Sequence, residues 1–150
     1  MAVTERCLLV TLGDGYFGVP LRQLVSVEPM PRVVPVPRVP PWLLGVTYRQ
    51  GRVLSVIDLA AILHVDGALD RDNKGARLLI AADGDLSAAL AVPAATEVFS
   101  VEPEHIAPIA PMPDRLVNRF LIGHVTYGEQ SFSLLDLGRL MRAPEFLLAG

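Results

Sequence analysis

Short apolar runs, each closed by Gly, Pro or Asp, recur along the whole chain. Cys7 to Leu12, Tyr16 to Pro20, Leu24 to Glu28, Leu43 to Tyr48 and Arg52 to Ile57 are rich in Val, Leu and aromatic residues and too short for stable helices, so they predict five strands. Arg77 to Ala82, Ser87 to Val92, Val98 to Val101, Leu121 to Tyr127 and Gln130 to Leu135 predict five more. Short strands broken by turn signals every eight to twelve residues or so indicate an all-β protein of barrel or sandwich type. The last strand of each series ends in an aspartate followed by a brief apolar segment: Asp58 before Leu59 to Leu63, and Asp136 before Leu137 to Met141. An aspartate in that place accepts hydrogen bonds from the free N–H groups of a helix start, so two short capping helices are expected, with Asp58 and Asp136 as caps rather than catalytic acids.

The two series are copies of one another. Ser26-Val27-Glu28-Pro29 returns 74 residues later as Ser100-Val101-Glu102-Pro103, Val19-Pro20 returns as Val92-Pro93, and the turn Asp14-Gly15 returns as Asp83-Gly84. Downstream, Gly45 pairs with Gly123, and Ser55-Val56-Ile57-Asp58-Leu59 with Ser133-Leu134-Leu135-Asp136-Leu137, both 78 residues apart. The matches keep their order while the offset drifts, as insertions in loops would make it. Two copies are too few for a solenoid, so the repeat implies a pseudo-symmetric pair of small subdomains. The expected division places the first subdomain at about 14–72 and the second at about 76–143, with the N-terminal strand, about 6–12, added to the second. The charged stretch Asp66 to Gly75 reads as the exposed link between them.

Composition narrows the function. With 13 Lys and Arg against 16 Asp and Glu, scattered singly, the chain has no basic stripe for nucleic acid. Apolar residues make up 51% and charged ones 19%, which is rich for a domain of 150 residues and points to surface covered by a partner. No window of about 18 clean apolar residues is available to span a bilayer. The N-terminal sequence lacks the pattern of a secretion signal and Cys7 is the single cysteine, so a cytoplasmic location is expected.

Chemistry-bearing patterns are sparse. His64, His105 and His124 lack the close spacing of a metal site, and Cys7 lies in an apolar strand without a CxxC partner. Gly13, Gly15 and Gly18 have the wrong spacing for a dinucleotide or phosphate loop. The prolines at 29, 31, 35, 37, 40 and 41 force an extended segment, either a polyproline ligand or a stiff connector, and the weaker run at Pro103, Pro108, Pro111 and Pro113 in the second copy favours the connector.

Phe17-Gly18-Val19-Pro20, then Val34-Pro35-Val36-Pro37, then Pro41-Trp42-Leu43-Leu44-Gly45-Val46, then Val53-Leu54-Ser55-Val56-Ile57-Asp58-Leu59 stand in the order and spacing of a known family. On these residues the chain resembles the CheW family of chemotaxis coupling proteins, over nearly its whole length as a single domain. The resemblance implies two pseudo-symmetric five-stranded SH3-like barrels with short capping helices, no catalytic residues and no cofactor or metal. It further implies an adaptor, peripheral to receptor arrays, that links the cytoplasmic tip of a chemoreceptor (a methyl-accepting protein) to the regulatory domain of a CheA-type histidine kinase. Carried over residue by residue, Leu24, Ser26, Gly45, Tyr48, Arg49 and Gln50 are the receptor-side positions, while the kinase-side positions stay unassigned.

The chain departs from the family at one place. The family's Asn-Leu-Arg-Gly falls on Tyr48-Arg49-Gln50-Gly51, which moves the arginine one position earlier, and a glutamate frequent in the third strand falls on Ser26. Glu28 lies two residues on, on the same strand face as Ser26, so a displaced Glu28–Arg49 pair is one outcome. Another is a divergent accessory protein that binds the receptor but couples weakly or not at all to the kinase. A third reading, from a different class, is a small β-barrel enzyme or ligand-binding module that uses the cleft between the barrels.

Overall fold

The computed structural model describes residues 5–13, 15–65, 69, 74–109, 116–127 and 129–147. All ten expected strands are present, as β1 (Glu5–Leu12), β2 (Gly15–Pro20), β3 (Leu24–Pro29), β4 (Leu43–Arg49), β5 (Arg52–Asp58), β6 (Arg77–Asp83), β7 (Leu86–Val92), β8 (Ala94–Val101), β10 (Leu121–Tyr127) and β11 (Gln130–Leu135). A two-residue strand, β9 (Ile106–Ala107), is too short to leave a sequence signal. The helices are α1 (Leu59–Ile62), α2 (Leu137–Met141) and α3 (Pro144–Leu147). Among the described residues no helix is long and apolar enough to cross a membrane.

The sheets do not follow the expected halves. One runs β3-β6-β7-β5-β4 and the other β8-β1-β2-β11-β10-β9, so a cut into 14–72 and 76–143 passes through both. The expected division already placed the N-terminal strand with the second subdomain; its partner β2 lies there too, and hairpin β6–β7 lies with the earlier strands. Each repeat thus lends its first hairpin to the other sheet, joined by a parallel contact, β2 to β11 on one side and β7 to β5 on the other. The repeat remains in the chain, but the folding units interlock. Asp14 and most of the Asp66 to Gly75 link lie outside the described residues.

Exchange of hairpins explains why β1 and β6 read as nearly unbroken apolar runs. A strand covered on both faces sends successive side chains into two different cores. Cys7 and Leu9 enter the interior of the β8 sheet with Val101, Val125, Phe132 and Leu134. Leu8, Val10 and Leu12 point the other way, into a larger shared core with Ile57, Leu79, Leu90, Leu135 and Leu140. Leu78 and Ile80 of β6 fill the β3 sheet with Val56, Ala89 and Ala91, while Leu79 and Ala81 join the shared core.

Each sheet curls shut in the same way. After β3 the chain returns to β4 through a bridge in which Val34 N–H donates to Val46 O at 2.8 Å and Val46 N–H to Val34 O at 2.9 Å. After β8 it returns to β10 through β9. The strand crossed in each case carries a glycine. A Cβ on Gly45, whose φ is +147°, would overlap the Val34 carbonyl oxygen, and one on Gly123 would overlap the Ile106 side chain and lie 2.9 Å from Ala107 O. Arg38 has a φ of 61°, which breaks the polyproline helix that a Pro37 to Pro40 ligand would need, so the segment acts as a connector.

The helix starts are matched too. Asp58 accepts from Ala61 N–H at 3.3 Å and Asp136 from Arg139 N–H at 3.0 Å. The backbone N–H of Asp58 donates to Trp42 O and that of Asp136 to Phe120 O, at 2.8 and 2.7 Å. Burial pushes the Asp58 carboxyl up, and backbone N–H groups led by Ala61 pull it back. Buried Gln23 adds a link across the repeats: its amide donates to Asp136 Oδ1 at 3.2 Å, and its oxygen accepts from Leu137 N–H at 2.9 Å.

Candidate functional site

The hairpin end of the β3 barrel carries a polar network centred on Glu28 and Arg49. Strand alternation puts Leu24, Ser26 and Glu28 on one face of β3 and the exposed Val25, Val27 and Pro29 on the other. Arg49 closes β4 opposite Arg52, and a two-residue turn of Gln50 and Gly51, with φ of 51° and 79°, joins β4 to β5. Positive φ at both centres is the turn whose twist suits a right-handed hairpin.

The turn holds Arg49 over Glu28. Arg49 Nε donates to both Glu28 carboxylate oxygens at 3.0 Å, and Nη2 donates to Oε2 at 2.5 Å. Ser26 Oγ donates to the same Oε2 at 2.6 Å, and Arg49 Nη1 donates to Gln50 Oε1 at 3.3 Å. Bonds from Arg49 first, then from Ser26, hold the Glu28 carboxyl below the usual carboxylate range, and the carboxylate in turn raises the Arg49 guanidinium. The displaced pair is therefore formed. β4 is regular at Arg49, since the irregularity in β4–β5 lies at the far end, between Leu43 and Gly45. A planar guanidinium forked onto a carboxylate fixes both side chains and, through Gln50, the turn itself.

Of the six positions expected on the receptor side, the structure gathers three, Ser26, Arg49 and Gln50, around Glu28. Tyr48 points away from Arg49, as successive strand residues must, and is 74% exposed. Leu24 packs against the shared core, and Gly45 is buried beneath Val34, so both positions are architectural. Sequence reasoning missed Val34 and Val53, which are 53% and 67% exposed. Val53 faces Tyr48 directly across the hairpin, and with Val34, Val46 and Pro31 they line an open groove of about 370 Å³. The signal was available, since Val53 follows the hairpin turn at the register position opposite Tyr48.

Equivalent positions of the other barrel differ. Tyr48 corresponds to Thr126 and Val53 to Ser131, both exposed, and the Arg49 position holds Tyr127. Among the described residues neither the guanidinium nor the Tyr48–Val53 pair is repeated. Other ionisable groups lie elsewhere: burial pushes the Cys7 thiol up to about 11, and Arg142 holds the Asp83 carboxyl below its usual range. Among the described residues no three His, Cys, Asp or Glu side chains are grouped as a metal site would need.

Comparison with known proteins agrees with this architecture. A family profile described as CheW-like domain matches residues 6–145. Protein FrzA of Myxococcus xanthus is 27% identical over 135 residues, covering 87% of this chain and 81% of that protein. The crystal structure of the scaffolding protein TtCheW from Thermoanaerobacter tengcongensis superposes with a TM-score of 0.82 at 19% identity, over 95% of this chain and 96% of that one.

Proposed function

The chain belongs to the CheW-like domain family, and from that premise we propose that it is a non-enzymatic adaptor in a bacterial chemosensory array, linking a chemoreceptor tip to the regulatory domain of a CheA-type kinase in the cytoplasm. The observation that carries the reading is the Ser26–Glu28–Arg49–Gln50 network at the same hairpin end as the exposed Val34, Tyr48 and Val53, where the equivalent described positions Thr126 and Ser131 of the other barrel are polar. Such an arrangement suits a protein partner. A prepaid ion pair sets orientation, and desolvation of Tyr48 and the two valines supplies apolar contact area at low entropy cost. Receptor-side contacts then fall on Ser26, Tyr48, Arg49 and Gln50, with Val34 and Val53 added.

The displaced pair bears on the choice between a full coupling protein and an accessory one. Substitution of the family's Asn and Arg positions suggested a lost charge pair, yet Glu28 and Arg49 supply one a step along their strands. That favours retained coupling. Acid–base catalysis in the inter-barrel cleft gains no support from the described residues that line it, among which His64 is the one titratable side chain.

The test is a pair of titrations by calorimetry, against a purified receptor tip and against the kinase regulatory domain from the same organism. Binding to both, with the receptor affinity weakened by Arg49→Ala or by Tyr48→Thr with Val53→Ser, supports the adaptor. Binding to the receptor alone makes it the accessory protein, and binding to neither at tens of micromolar rejects the proposal.

A further inference from the structure

A cavity of about 170 Å³ lies between the barrels, away from the hairpin end of β4–β5, and its walls include Trp42, Ile62, Phe120 and Leu140. These follow the repeat: Trp42 and Phe120 are equivalent positions, as are Ile62 and Leu140. Trp42 and Phe120 each offer a carbonyl to the N–H of a capping aspartate, which fixes their backbones, and Arg119 lies over the Phe120 ring at 5.3 Å. Four lining residues, His64, Leu116, Ala143 and Phe146, have no symmetric counterpart in the walls. Phe146 comes from α3, beyond the repeat, and His64 stands where the second copy has Arg142.

His64 is also conformationally unusual. It follows α1 with a φ of 57°, where His64 N–H donates to Ala61 O at 3.1 Å and Val65 N–H to Ala60 O at 2.9 Å. That helix ending ordinarily takes glycine, because a side chain in the left-handed region is strained. Arg142, in the equivalent place, has a φ of -92°. A strained, exposed imidazole at the mouth of an apolar cavity is the kind of outlier that accompanies ligand sites. The walls are mainly apolar, and a cavity of this size accepts a benzene-sized ring.

We infer that this cavity is a binding site for a small neutral ring compound of roughly six to nine heavy atoms, stacked among Trp42, Phe120 and Phe146 with its single polar group hydrogen-bonded to His64. The site is separate from the Glu28–Arg49 surface and does not depend on the adaptor reading. Trp42 is the single tryptophan of the chain, so its fluorescence reports on the site directly. Benzyl alcohol is the probe: the expected result is a saturable change of Trp42 emission with a Kd below about 1 mM, with amide shifts confined to the cavity walls. His64→Gly, which relieves the strain and removes the imidazole, weakens binding about fivefold while raising the melting temperature. His64→Asn, which tolerates the left-handed backbone and keeps a hydrogen-bonding group, restores most of the affinity. No saturable response, equal affinity in His64→Gly, or amide shifts away from the cavity would overturn the inference.

Discussion

The β3 barrel and the β8 barrel share a closure and differ at their hairpin ends. Both curl shut where a connector crosses a glycine, Gly45 under Val34 in one and Gly123 under Ile106 and Ala107 in the other. Both meet a parallel strand from a borrowed hairpin and end in an aspartate-capped helix. At the hairpin end the β3 barrel shows Tyr48, Val53 and a forked Glu28–Arg49 pair, while the β8 barrel shows Thr126 and Ser131. Pseudo-symmetry therefore acts as an internal control. What both copies carry is what folding requires; what one copy carries is free to serve a partner.

The largest effect should come from the shared closure. Gly45→Ala meets a backbone carbonyl and a φ of +147°, so it should cost at least about 3 kcal/mol in urea denaturation. Gly123→Ala should cost about 2 kcal/mol, because the Ile106 side chain can move aside while Ala107 O at 2.9 Å cannot. Equal and negligible costs would break the claim that the two closures are structural. The helix caps sharpen it next. Asp58→Ala should cost about 1 kcal/mol, and Asp136→Ala about 2 kcal/mol because the buried Gln23 amide loses its partner as well.

These expectations also show what the sequence could reveal. Strand spacing, the repeat, the caps at Asp58 and Asp136, and the Glu28–Arg49 alternative were legible because each depends on residues near in sequence or on strand alternation. The exchange of hairpins was only partly so: the N-terminal strand was expected with the second subdomain, but the transfer of β2 with it and the pairing of β6 with β3 are decided by which distant strand covers an apolar face. Leu24 looked like a surface candidate by motif position, yet its side chain joins the shared core, since β3 presents alternate residues to opposite environments.

Smaller effects test the asymmetric side of the comparison. Arg49→Ala should leave the urea midpoint almost unchanged, since a solvent-accessible pair adds little to stability, but should weaken the receptor tip about tenfold. Glu28 gives the smallest effect. Its carboxyl is held below the usual range in the fold, so the pair's stabilising contribution is complete above that range and is lost as pH falls through it. Denaturation of wild type and Glu28→Gln from about pH 7 to about pH 3 should show a small stability difference that vanishes in acid.

The most direct test of the central claim is to give one barrel the other's surface. A Tyr48→Thr, Val53→Ser double variant copies Thr126 and Ser131 onto the β3 barrel, at exposed positions that the fold does not need. Titrated calorimetrically against the receptor tip and the kinase regulatory domain, it should keep the wild-type melting temperature and lose most of its affinity for at least one partner. Unchanged affinity for both would contradict the assignment of partner binding to the hairpin end of the β3 barrel.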